Sequence, residues 1–160
     1  MKRNIINIFL SIALLSMIGC GTSSKNKKNT TTADINQIQL NADSDSNEAG
    51  ALETVYFPFN SSDLRTAAQT SLEANADFLK KFRSLKVQIE GHCDERGSVQ
   101  YNLALGEKRA QSIKDYLVAS GVEPNRITTI SFGKERPISL NHDEVAWSKN
   151  RRGNFVVIAK

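Results

Sequence analysis

Asp94 and Arg109 are the two side chains of this sequence whose types and spacing suit a shared task. Gly91-His92-Cys93-Asp94-Glu95-Arg96-Gly97 leaves an alternating apolar run, turns through an acid between two glycines, and enters a long helical pattern carrying Arg109. An anion at a strand end and a cation on the following helix can hold a small zwitterion, such as an amino-acid centre, by both of its charges. A guanidinium meets a carboxylate through two parallel N–H bonds, and charge-assisted hydrogen bonds are the stronger kind. This is binding chemistry, not bond-breaking. Two plainer roles stay open on the residues alone: Asp94 as a turn acceptor paired with Arg96, and Arg109 as a solvated cation paired with a nearby acid.

Catalytic arrangements find little support. His92, Cys93 and Asp94 are consecutive, so in a strand their side chains alternate between faces and cannot converge on one metal. His142 stands alone, and no orienting motif lies behind a Cys93–His142 thiol–base pair. No catalytic residue, metal ligand or cofactor is expected. A hydrolase or thiol sensor built on Cys93 and His92 is the alternative from a different class.

The elements that must position Asp94 and Arg109 follow from periodicity. Val55-Tyr56-Phe57-Pro58-Phe59 is a β-type run in which Pro58 cannot donate to a ladder, so the strand stops there or has an exposed edge. Ser61-Ser62-Asp63 offers helix-capping chemistry ahead of Leu64, Ala68, Leu72, Ala76, Leu79 and Phe82 at helical spacing. Val87 to Glu90 alternates as a half-buried strand. A helix over Val99–Ala119 carries Leu103, Gly106, Ala110, Ile113 and Leu117 on one stripe, closed by Gly121 and blocked by Pro124. Ile127–Phe132 reads as a strand, Asp143–Lys149 as a short helix, and Asn154–Ala159 as a last strand. The order β-α-β-α-β-(α)-β predicts an α/β (α+β) two-layer sandwich, with two long helices on one face of a four-stranded mixed sheet.

Length and charge bound the rest. The 160 residues hold one domain plus tails. Residues 1–19 read as an export signal: Lys2 and Arg3 precede an apolar run of about 15 residues, short of the roughly 20 that a spanning helix needs. Without residues 1–19, 19 basic residues face 17 acidic ones, a net of +2, and no basic patch is interleaved with aromatics, so nucleic acid is not a partner. Residues 20–50 read as a flexible tether, rich in Gly, Ser, Thr, Asn, Lys and Asp and free of aromatics, with Ile35, Ile38 and Leu40 as solvated coil. Its ~30 residues would span roughly 30 Å relaxed and about 100 Å stretched. The domain is expected over 51–160. Cys93 is expected to be buried, since an odd thiol is best tolerated there.

Two resemblances carry the reading further. Met17-Ile18-Gly19-Cys20 resembles the lipobox of bacterial lipoproteins, which implies cleavage before Cys20, acylation of Cys20, and, with Gly21 following, an outer-membrane address facing the periplasm. Several acyl chains give stable anchoring where one is marginal. Val55-Tyr56-Phe57, Gly91 to Gly97, Tyr101-Asn102-Leu103 with Gly106-Glu107-Lys108-Arg109-Ala110, Gly133-Lys134-Glu135-Arg136-Pro137 and Ser148-Lys149-Asn150-Arg151-Arg152 resemble, in order, the OmpA-like peptidoglycan-binding domain, and within it the peptidoglycan-associated lipoprotein branch. The resemblance implies a non-covalent grip on the diaminopimelate of the peptidoglycan stem peptide. Asp94 would accept from its ammonium and Arg109 would clamp its carboxylate. Asn102 and Arg151 are further candidates or structural braces, and Asn60 stands where that family commonly has an acid. A β-branched residue is usual where Gly153 stands. The branch also implies a place in the Tol–Pal system, with TolB as a competing partner alongside other Tol components, in envelope integrity and cell division. A generic wall-anchoring lipoprotein without Tol partners is the nearer alternative.

Overall fold

The computed structural model describes residues 35–160. The expected signal, the lipidated Cys20 and the first part of the tether lie outside the described residues. The strands are β1 (Val55–Tyr56), β2 (Lys86–His92), β3 (Ile127–Gly133) and β4 (Arg152–Ala159), and the helices are α1 (Thr66–Lys81), α2 (Val99–Ala119) and α3 (Glu144–Asn150). The sheet order is β1-β4-β2-β3, with β2 and β3 parallel and the other pairs antiparallel. This is the α/β two-layer arrangement expected, with a mixed four-stranded sheet.

Alternation places Val87 and Ile89 of β2 opposite Val157 and Phe155 of β4, all fully buried beneath the helices. Leu72, Ala76 and Leu79 of α1 and Ala110, Ile113 and Leu117 of α2 complete this core. Their burial removes apolar surface from water at roughly 25 cal/mol per Å2, the main favourable term in folding. Gly153, the departure in the last strand, leaves room for Ile113: a Cβ there would lie 2.2 Å from Ile113 Cδ1.

The helix α2 is seated unusually close to β2. A Cβ on Gly91 would lie 1.9 Å from the carbonyl oxygen of Gly106. Two glycines facing each other let backbone meet backbone, which fixes where Arg109, one turn further along, stands relative to the end of β2. Ser98 caps α2, its hydroxyl accepting from Tyr101 N at 3.2 Å. At the other end Gly121 is left-handed (φ +93°), and Val122 N bonds Leu117 O while Gly121 N bonds Val118 O. That is the Schellman closure its glycine predicts.

Three expectations are corrected. The tether is not coil throughout: among residues 35–50, Ile38, Ala42, Ser44 and Ala49 are buried. Asn41 N and Ser44 N donate to Val157 O and Phe155 O at 2.8 and 3.0 Å, and Val157 N donates to Ala42 O. β1 is only two residues long, so β4 would otherwise carry an open edge, and this strap satisfies its backbone groups. Leu40 does remain exposed. Helix α1 begins at Thr66, behind Arg65, rather than at Ser61–Asp63, because Ser61 Oγ caps a local turn by accepting from Asp63 N. On α2 the buried stripe includes Asn102 and Arg109, while Leu103 is 39% exposed.

Candidate functional site

Beyond the end of β2 lies a cavity of about 270 Å3, and Asn60, Asp94, Asn102, Arg109 and Arg151 all line it, together with Phe59, Cys93, Arg96, Gly97, Tyr101 and Leu105. Every candidate binding residue named from the sequence is thus gathered at one hollow. The walls come from the loop after β1, the β2–α2 turn, the first half of α2 and the α3–β4 junction.

Asp94 is buried and doubly paired. Arg96 donates from its backbone N to Oδ1 at 3.1 Å and from Nη2 to Oδ2 at 2.5 Å, and Arg151 Nη1 donates to Oδ2 at 3.2 Å. Burial pushes its pKa up, but the hydrogen bonds from Arg96 and Arg151 outweigh that and hold the carboxyl below the usual aspartate range. The turn-acceptor role and the cavity position therefore coexist.

Arg109 is fully buried. Its Nε donates to Ser61 O at 2.9 Å, Nη1 to His92 O at 2.7 Å and to Cys93 Sγ at 3.4 Å, and Nη2 to Pro58 O at 2.9 Å. A guanidinium has five N–H groups, so one on Nη2 remains uncommitted. A two-pronged clamp on a carboxylate is not available in this arrangement. What Arg109 does visibly is staple the loop: Pro58 and Ser61 flank Phe59 and Asn60. Asn60 sits at φ +53° and accepts from the Tyr101 hydroxyl, which closes one side of the hollow.

Arg151 Nε donates to Phe57 O at 3.2 Å and its Nη2 to Glu144 at 2.5 Å, so it ties β1, α3 and Asp94 together. Asn102 uses its amide to hold the β2–α2 turn, donating to Arg96 O and Ser98 O. Both act as braces and also face the cavity. Arg96 was considered from the sequence only as a partner for Asp94. Its guanidinium is sandwiched between Phe59 and Trp147, 3.9 and 4.1 Å from the ring centroids. A cation is attracted to both π faces, and Glu144 Oε2 stands 3.7 Å from its Nη2 as a second carboxylate. The sequence signal was faint: one tryptophan, 51 residues downstream.

Cys93 is buried as expected, and burial raises its thiol pKa against the opposing pull of Arg109. His142 instead contacts Glu95, so no thiol–base pair is assembled. His92 packs on Phe132 with ring centroids 5.6 Å apart, and its Nε2 stands 3.4 Å from Glu90 Oε2. Burial lowers its pKa despite Glu90. Among the described residues, no group of three His, Cys, Asp or Glu is placed to hold a metal, and no helix is long and apolar enough to cross a membrane.

A hollow bordered by the buried Asp94, Arg109 and Arg151 thus stands at the end of the sheet of an α/β domain. The profile of the OmpA family matches residues 56–151, and the chain belongs to that family. This chain is not an enzyme. Within it, the likeness is to peptidoglycan-associated lipoproteins. That of Pseudomonas aeruginosa is 47% identical over 102 residues, covering 64% of this chain and 60% of that protein, less than two thirds of its length. That of Mesorhizobium japonicum is 37% identical over 154 residues, covering 95% and 90%. The crystal structure of the one from Burkholderia pseudomallei superposes with a TM-score of 0.63 at 40% identity, covering 65% of this chain and 88% of that one.

Proposed function

We propose that this chain is an outer-membrane lipoprotein, acylated at Cys20, whose periplasmic domain binds peptidoglycan without cutting it. The ligand is the dipolar centre of diaminopimelate in the stem peptide. Its ammonium meets Asp94, which stays ionised; its carboxylate meets the free Nη2 hydrogen of Arg109 and the adjoining Arg151, with Asn102 and Asn60 on the flanks. One observation carries the reading: these five residues, distant in sequence, line a single cavity. Each charge-assisted contact contributes about 1.5–3 kcal/mol, so losing one weakens binding roughly 10- to 150-fold.

The relatives' name supports the peptidoglycan partner, and the lipobox supports the anchor. Together they make the chain a link between outer membrane and wall, in the Tol–Pal system, with TolB competing for the domain during division. The test is retention of the detergent-solubilised chain on purified sacculi. Wild type should be retained and Asp94→Asn should wash off. Equal retention of both rejects the assigned site. Recovery of TolB with the tagged chain from envelopes supports the Tol role; its consistent absence leaves a wall anchor without Tol partners.

A further inference from the structure

The strap at residues 41–45 lies between Cys20 and the domain in the sequence, and it ends on a part-buried ion pair that no binding role explains. Asp45 Oδ2 accepts from Arg152 Nε at 2.6 Å, with side chains 13% and 3% exposed. The strap's hold is extended by Asn154, whose Oδ1 accepts from Ser44 N, Ser44 Oγ and Asp45 N. Arg152 is the first residue of β4 and pairs with Tyr56 of β1. Its neighbour Arg151 accepts Phe57 N on its carbonyl and sends its side chain to Asp94. Arg152 also donates to Asn150 O and Arg136 O, which fixes the turn out of α3.

We propose that Asp45 is a positioning residue for the cavity, so that the strap nearest the lipid end and the grip on the wall are coupled. The inference rests on the peptidoglycan reading above. Its physical basis is that Arg151, the C-cap of α3, and Arg152, the first residue of β4, are adjacent in the chain, so holding one main chain holds the other. Clamping Arg152 on the strap side sets the start of β4, and that start aims Arg151 at Asp94 and holds Phe57 ahead of the 58–61 loop. Remove Asp45 and a buried guanidinium loses its counter-charge, β4 shifts at its first residue, and two cavity walls loosen. Coupling is reciprocal, so a ligand in the cavity must in turn hold the strap down.

The experiment uses the full chain in detergent. Asp45→Ala should bind purified sacculi roughly 3- to 10-fold more weakly, the size of coupling between neighbours in one network. Asp45→Glu should recover most of the loss, as should the charge swap Asp45→Arg with Arg152→Asp in part. In the wild type, a diaminopimelate-containing stem tripeptide should slow amide exchange at Asn41, Ser44 and Val157. Strap amides exchange by local opening, so an uncoupled strap would not respond, and this measurement decides even where Asp45→Ala fails to fold. Wild-type retention of a folded Asp45→Ala, or strap exchange indifferent to the tripeptide, overturns the coupling alone. Failure of the wild type to bind sacculi overturns the cavity reading as well.

Discussion

Gly91 and Gly106 meet backbone to backbone, with only 1.9 Å left between a would-be Cβ on Gly91 and the Gly106 carbonyl oxygen. The contact is what brings the Arg109 turn of α2 against the end of β2, where Asp94 begins. The atom in the way is main chain, so no side-chain rotation can relieve the clash. Gly91→Ala should therefore lower the unfolding free energy by about 3 kcal/mol, the upper part of the range for overpacking. Urea denaturation followed by far-UV circular dichroism reads this directly.

Arg109 should behave as a brace as much as a contact. Arg109→Lys keeps the charge but cannot reach the carbonyls of Pro58, Ser61 and His92 together. Buried acceptors left without donors cost about 1–3 kcal/mol each. The expected outcome is a loss of about 2 kcal/mol or more in stability, with faster exchange in the 58–61 loop, checked by denaturation and hydrogen exchange on the same variant. A loss of sacculus binding in Arg109→Ala should accordingly not be read as loss of a ligand contact alone.

Stability should fall with pH in two stages. The buried His92 has a folded pKa below its ordinary value of about 6.5, so the unfolded chain takes up a proton there first. Stability then declines as pH falls below about 6.5, until the folded imidazole also protonates. Asp94 is likewise depressed, by its arginine partners, and its contribution is intact above about 3.9 and lost as pH falls further. Thermal melts from pH 8 to pH 3 should show both declines, and His92→Gln should remove the upper one. Asp94 itself imposes no change in binding between pH 5 and 8.

Cys93 should be inert in the folded chain. It is 3% exposed and its thiol is held up by burial, so the thiolate that reacts is scarce. N-ethylmaleimide at pH 7.5 should label it roughly 100-fold or more slowly than in urea-unfolded chain, since reaction waits on an opening event. Mass spectrometry over time checks this.

Local chemistry made α2 legible: Gly121 and Pro124 mark where it stops, and the expected span Val99–Ala119 matches the helix. The Asp94–Arg109 cavity was legible through its motif blocks, which contain four of the five candidates, with Asn60 in the loop just after the first block. What stayed hidden depends on partners far along the chain. Asp45 finds Arg152 107 residues later, and the strap's hydrogen bonds are made by backbone, which composition does not record. Polar, aromatic-free sequence reads as coil, yet an open strand edge recruits it. The start of α1 was misplaced because the Ser61 hydroxyl serves a local turn and its carbonyl serves Arg109. Arg96 between Phe59 and Trp147 joins three segments through ring faces, and no spacing rule announces that.

The central claim is tested most directly by calorimetric titration of the chain with two stem tripeptides, one ending in diaminopimelate and one in lysine, which keeps the ammonium but lacks the second carboxylate. A grip on both charges predicts saturable one-site binding of the first, with the second weaker roughly 10- to 150-fold and Asp94→Asn weakened for both. Equal affinity for the two peptides, unaltered in Asp94→Asn, would contradict it.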